Sequence, residues 1–231
     1  MRKDIVIAPK YKGAEKMVDT ILDDFENGGG EVLQNGENEI RKFIIDGHIF
    51  VIKKFSESGI LGKLTSIFKG SKAKRAFNNA TQFRHLGYNT PHEVAYAGNF
   101  YVCKYTNAQP IALRTSDPEN FSRGITIRLA HYLGRMHDMG IIHHELTAQN
   151  VLFTKDNDTY NFELVGTEHL SFHKPGTLSR TACFKNISKW CRSGHMFSMF
   201  LREYVLCRNI GKPTVDLACE KAKAIKAKID R

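Results

Sequence analysis

Apolar residues alternate with polar ones in the first half of this chain and recur at helical spacing in the second. Phe43-Ile44-Ile45 and His48-Ile49-Phe50-Val51-Ile52 flank Asp46-Gly47, a dipeptide suited to the positive φ that both central positions of a tight hairpin turn require. Glu31-Val32-Leu33 adds a third strand across Gln34-Asn35-Gly36-Glu37-Asn38. Ser71 to His85 reads as a helix, with Ser71 as N-cap and Gly87 just past its end. Glu93 to Ala97 and Phe100 to Tyr105 make a second strand pair around Gly98-Asn99.

Ile125, Leu129, Leu133 and Met136 then keep helical spacing up to Gly140. Two short apolar runs follow, Val151-Leu152-Phe153 and Phe162-Glu163-Leu164-Val165, joined across Asp156-Asn157-Asp158. Beyond about Ile187 the chain reads as helical to its end, with Met196, Met199, Phe200, Tyr204 and Cys207 as an apolar stripe facing a core. Lys221, Lys223, Lys226 and Lys228 read as a solvated helix face. The pattern predicts an α+β protein with a β-rich lobe over 1–105 that contains one helix and a mainly helical lobe over 106–231. The two meet near Lys104 to Ala108, with no internal repeat and no low-complexity linker.

Composition narrows the class. The 231 residues are 42% hydrophobic, ample for a buried core. No apolar run reaches the roughly 18 residues of a membrane span, and a Lys at position 10 comes too early for a signal-peptide apolar region, so the expected location is cytoplasmic. Cys103, Cys183, Cys191, Cys207 and Cys219 are odd in number and hold no C-x-x-C pair, which argues for reduced thiols rather than a disulfide framework or zinc ribbon. Cys191 and His195 lie one helical turn apart without the further ligands a metal needs.

A formal net charge of +10 points to an anionic partner: nucleic acid, a phosphorylated small molecule or an acidic membrane surface. No helix-turn-helix, RNP-like strand or zinc finger is legible, so nucleic acid is not the expected partner. Between Ser58 and Arg75, Ile60, Leu61, Leu64, Ile67 and Phe68 share one helical face while Lys63, Lys69, Lys72, Lys74 and Arg75 are basic. Such a segment either lies on an anionic bilayer or packs on the small lobe with a solvated basic edge.

The chemistry concentrates after the helix that ends at Gly140. Ile141-Ile142-His143-His144-Glu145-Leu146-Thr147-Ala148-Gln149-Asn150-Val151-Leu152-Phe153 resembles the kinase catalytic loop, H-R-D-L-x-x-x-x-N followed by a short strand. Upstream, Phe50-Val51-Ile52-Lys53 resembles the kinase V-A-I-K strand. With Asn35 to Ile40, Lys53-Lys54-Phe55, Ser71 to Arg75, Leu86 to Pro91 and Leu201-Arg202-Glu203-Tyr204, the chain resembles the bacterial lipopolysaccharide inner-core sugar kinases, the Kdo and heptose kinase family.

That resemblance implies a two-lobed protein-kinase-like fold and transfer of phosphate from ATP to a Kdo or heptose hydroxyl of the lipid A inner core. It implies an anionic glycolipid partner and peripheral attachment to the cytosolic face of the inner membrane. Lys53 would hold the α/β-phosphates, Val51 would touch adenine, and Gly36 and Lys104 would complete the cofactor-binding group. Glu145 and Asn150 would be catalytic, with Mg²⁺ on Asn150 and Glu168. His143 is expected to be a structural loop residue bonded to backbone.

The chain departs from the family pattern at three acidic positions. Glu145 stands where the catalytic Asp belongs and adds a methylene. Gly166 stands where the strand Phe162 to Val165 should lead into a metal-binding Asp, leaving Glu168 as the substitute carboxylate. Asn78 falls where the helix would carry the Glu that pairs with Lys53. The alternative expectation is therefore a pseudokinase that binds a glycolipid, nucleotide or protein without transferring phosphate.

Overall fold

The computed structural model describes residues 2–56, 71–115, 123–157, 159–190, 194–208 and 212–229. Most of the amphipathic segment between Ser58 and Arg75, and Cys191, lie outside the described residues. The chain forms two compact units, Met1–Asn107 and Ala108–Arg231.

The first unit is built on a six-stranded sheet. Its strands are β1 (Val6–Ile7), β2 (Glu31–Asn35), β3 (Asn38–Ile45), β4 (His48–Phe55), β5 (Glu93–Ala97) and β6 (Phe100–Lys104), in the spatial order β1-β5-β6-β4-β3-β2 and antiparallel throughout. The β3–β4 hairpin turns at Asp46 and Gly47, with φ of 49° and 74°. Because side chains alternate along a strand, each face takes every second residue. Phe50 and Ile52 of β4 pack with Phe43, Phe100 and Val102 against helix α1 (Glu15–Glu26), which buries Val18, Ile21, Leu22 and Phe25. Phe25 meets Phe100 edge-on, with ring centroids 5.5 Å apart.

The N-terminal stretch thus supplies a second helix, rich in acidic residues, that the strand pattern did not announce. Its four buried positions contribute about 1.5–3 kcal/mol each as an upper estimate. The other face carries Val51 and Phe55 and packs on α2 (Lys72–His85) through Ala73, Ala76 and Phe77. Ser71 caps α2, its hydroxyl accepting from the Lys74 amide at 3.1 Å.

The second unit opens with β7 (Gln109–Pro110) and the short α3 (Ala112–Thr115), followed by α4 (Arg123–Asp138). Ile125, Leu129, Leu133 and Met136 of α4 are buried. Strand β8 (Ile141–His143) leads into a loop, then β9 (Val151–Asp156) and β10 (Thr159–Leu164) form a hairpin with β7 alongside β9. Strand β11 (Leu170–Phe172) returns to pair with β8. Helices α5 (Arg180–Ile187), α6 (Gly194–Cys207) and α7 (Lys212–Ile229) complete the unit. Met196, Phe200 and Tyr204 of α6 are buried as their spacing requires, whereas Met199 is half-buried and Cys207, expected on the same stripe, is exposed. Lys226 corrects one expectation: its ammonium is buried, donates to the Ser188 carbonyl at 3.1 Å and lies 5.2 Å from the Phe197 ring centre.

Gly140 closes α4 at φ +76°, and a Cβ there would sit 2.3 Å from the His173 carbonyl oxygen. That oxygen belongs to backbone held in place, since the His173 amide donates to the Gly140 carbonyl at 2.8 Å. Gly140→Ala is expected to cost about 3 kcal/mol or more, summing the left-handed strain and the steric overlap. Urea unfolding measures it; a loss below about 1 kcal/mol would mean that this contact relaxes.

Candidate functional site

Lys53 and Val51 stand on the α2 side of β4, since alternation places them with Phe55. The Lys53 ammonium lies 4.7 Å from the Phe55 ring centre. Val51 pairs with Cys103 of β6 and Lys53 with Tyr101. Burial pushes the Cys103 thiol up to about 12, with the positive charge of Lys53 pulling down and the negative charge of Glu93 pushing up. Gly36 sits in the β2–β3 turn, where a side chain would meet open space. The next residue, Glu37, is 3.5 Å from the Lys72 ammonium at the start of α2.

The structure separates one of the expected residues from this group. Lys104 pairs with Phe50, so its side chain lies on the opposite face, 4.0 Å from the Phe50 ring centre. Burial lowers its pKa, and Lys10 adds to the effect. Asn78 is exposed, and α2 contains no Asp or Glu, so no register of this helix supplies a carboxylate to Lys53. The buried carboxylate on this face is Glu93 of β5, held by Thr81 (2.9 Å) and Arg84 (3.0 Å) of α2. Here the strand brings the anion and the helix the cation, the reverse of a strand lysine and helix glutamate.

In the second unit the loop between β8 and β9 is folded on its own backbone. The Asn150 amide nitrogen donates to the Glu145 carbonyl at 2.9 Å, and the Asn150 carbonyl accepts from the Val165 amide at 3.0 Å. His143 is fully buried, and its Nε2 lies 2.8 Å from the Val165 carbonyl. A carbonyl only accepts, so Nε2 carries the proton. Burial lowers the His143 pKa and keeps the ring neutral, leaving Nδ1 as a buried acceptor with no hydrogen-bond partner among the described residues.

Gly166 follows at φ +75°, and a Cβ there would lie 3.5 Å from His143 Nε2 and 3.7 Å from the Asn150 amide nitrogen. A 3-10 turn, Thr167–His169, comes next. Its His169 Nε2 faces two carboxylates, Glu145 at 3.2 Å and Glu168 at 3.4 Å. The Glu145 side chain is 58% exposed and that of Glu168 only 4%. The structure thus brings Glu145, Asn150 and Glu168 together in one unit, joined by a histidine the sequence pattern gave no reason to choose.

Solved structures similar to this chain share one architecture. WaaP, in a complex with acyl carrier protein, superposes with a TM-score of 0.61 at 16% identity, covering 97% of this chain and 99% of WaaP. The Rio2 kinase of Chaetomium thermophilum matches with a TM-score of 0.57 at 15% identity, covering 97% of this chain and 76% of that one. Its ADP/Mg²⁺-phosphoaspartate complex matches at 0.53 and 15%, with 99% and 81% covered. The chain has a protein-kinase-like fold. No family model and no curated protein matches it.

Within a kinase-like fold the carboxylates of the second unit are where a divalent metal would be held, and they do not fit one as arranged. Mg²⁺ demands near-octahedral oxygen coordination at short range. Gly166 offers no ligand and Glu168 is buried against His169, while the Asn150 side-chain nitrogen, anchored on the Glu145 carbonyl, leaves only its neutral oxygen to a metal. Among the described residues no group of three His, Cys, Asp or Glu side chains could hold a metal ion. Also among the described residues, no helix is long and apolar enough to cross a membrane.

Proposed function

We propose that this chain is a kinase-fold binding protein for a phosphate-bearing ligand, a nucleotide or an anionic glycolipid, that does not transfer phosphate from Mg²⁺-ATP. The observation that carries the reading is Gly166 beside His143 and Asn150, with the nearest substitute carboxylate, Glu168, buried against His169. The carboxylate-free α2 supports it, because Lys53 gains no charge partner from that helix. Lys53 would neutralise ligand phosphate, Val51 would line the apolar side of that site, and the open Gly36 turn would admit it. These are contacts that need no metal.

Thermal unfolding with ATP, with and without Mg²⁺ or Mn²⁺, tests this against a Lys53→Ala control. A ligand at 100 times its Kd stabilises the folded state by about 2.7 kcal/mol. The expected outcome is a Lys53-dependent rise to which metal adds nothing, with no labelled phosphate appearing on lipid A core sugars. Metal-dependent stabilisation together with such transfer would overturn the reading. A flat response to nucleotide moves the search to anionic glycolipids, with the same Lys53→Ala control.

A second reading draws on Glu145, whose exposed carboxylate remains in the loop, and on the near full-length likeness to WaaP. In it the chain phosphorylates a Kdo or heptose hydroxyl of the lipid A inner core, using ATP and Mg²⁺, while attached peripherally to the cytosolic face of the inner membrane. Glu168 would first have to leave His169. The transfer assay above decides between the two. Binding of acyl carrier protein, the partner in the WaaP complex, is a separate arm of the same experiment.

A further inference from the structure

We propose that His144, Ser171 and His173 form a binding site for a phosphate-class oxyanion, with Lys189 beside it. The pairing of β8 with β11 creates the arrangement. Ile142 stands opposite Ser171, and the ladder continues as the His144 amide donates to the His169 carbonyl at 2.9 Å and the His173 amide to the Gly140 carbonyl at 2.8 Å. The Ser171 hydroxyl then lies 2.9 Å from His144 Nε2 and 3.2 Å from His173 Nε2.

A hydroxyl has one proton to give. With two imidazole nitrogens on it, at least one of them must present an N–H to the Ser171 oxygen. With both rings neutral these donors are spent on one another; protonation of the second ring turns its Nε2 into a donor and frees the Ser171 O–H for an oxyanion, and both histidines are exposed. The backbone beneath is fixed, because the Lys189 ammonium donates to the His144 carbonyl at 3.0 Å. That places a permanent positive charge next to the cluster.

The groups facing His144 are Lys189, His169 and His173; burial and then these three neighbours lower its pKa. The nearby acids, Glu145 and Glu168, both face His169 Nε2. An oxyanion on the Ser171 hydroxyl would reverse the repulsion, so binding is coupled to proton uptake and strengthens as pH falls. The inference stands apart from the reading given for Lys53 and does not depend on phosphoryl transfer.

Calorimetric titration with inorganic phosphate at pH 6 and pH 8 tests it. The expected Kd is at least tenfold tighter at pH 6, since one linked proton is worth up to tenfold per pH unit. Ser171→Ala and His173→Gln, both at surface positions, should each remove most of this difference. Thermal stabilisation by ATP, the readout for Lys53, is measured on the same preparations; loss of phosphate binding with that response kept separates a failure here from a failure of the proposed function. Vesicles of neutral phospholipid with and without phosphatidic acid show whether a lipid headgroup satisfies the same site, by sensitivity to the same two substitutions. No phosphate binding at pH 6, or binding that both variants retain at full strength, would overturn the proposal.

Discussion

Acidifying the protein from pH 7 to pH 4 is expected to remove about 3 kcal/mol of folded-state stability through His137 alone. The ring is fully buried between α4, α5 and α6, with Nε2 2.9 Å from the Asn186 side-chain oxygen and Nδ1 2.5 Å from the Tyr204 hydroxyl. The Asn186 amide nitrogen donates onward to the His143 carbonyl at 2.7 Å, so Asn186 presents its oxygen to His137 and Nε2 carries the proton. Nδ1 then accepts from Tyr204, and the neutral ring satisfies both bonds.

Burial lowers the His137 pKa from 6.5 to about 4, with the Asn186 bond opposing it and the Arg208 charge adding to it. Between these values the unfolded chain binds the proton and the folded chain does not, so stability is full above about pH 6.5 and is lost as pH falls toward about 4. His143, also held neutral by burial, acts in the same direction. Comparing urea unfolding of the wild-type protein with His137→Gln at each pH isolates the His137 share. Parallel pH dependences for the two proteins would sink this account.

The second large effect is a gain. Gly166→Asp places a carboxylate beside Asn150, and the Cβ enters at 3.5 to 3.7 Å from its neighbours, ordinary van der Waals contact. The left-handed φ of +75° costs about 1–2 kcal/mol for most residues, and Asp tolerates that region better than most. Nucleotide stabilisation that ignores Mg²⁺ in the natural protein should become Mg²⁺-dependent in this variant, approaching about 2.7 kcal/mol at 100 times Kd. A variant that folds but stays blind to metal would place the defect elsewhere, with the carboxylate-free α2 as the next cause.

Several elements are legible in the sequence. Asp46-Gly47, the Ser71 cap, and the spacing of Ile125, Leu129, Leu133 and Met136 each describe contacts within one turn or hairpin, and all three formed as read. Helix α1 was missed although Val18, Ile21, Leu22 and Phe25 follow the same three-and-four rule.

The site was legible in its parts and not in its arrangement. The bonding of His143 to backbone is what the kinase resemblance implies, whereas the Asn150 side-chain bond to the Glu145 carbonyl is seen only in the structure. The position of Lys104 on the far face followed from alternation along β6 and could have been read there. His169 between Glu145 and Glu168, and Ser171 between His144 and His173, depend on β8 meeting β11 across more than twenty residues. Local dihedral preferences and periodicity fix what a segment becomes, because they act between residues a few positions apart. Which carboxylate a histidine faces, and whether a glutamate remains available to a metal, is decided by long-range strand pairing and burial, which act between residues that no spacing rule connects.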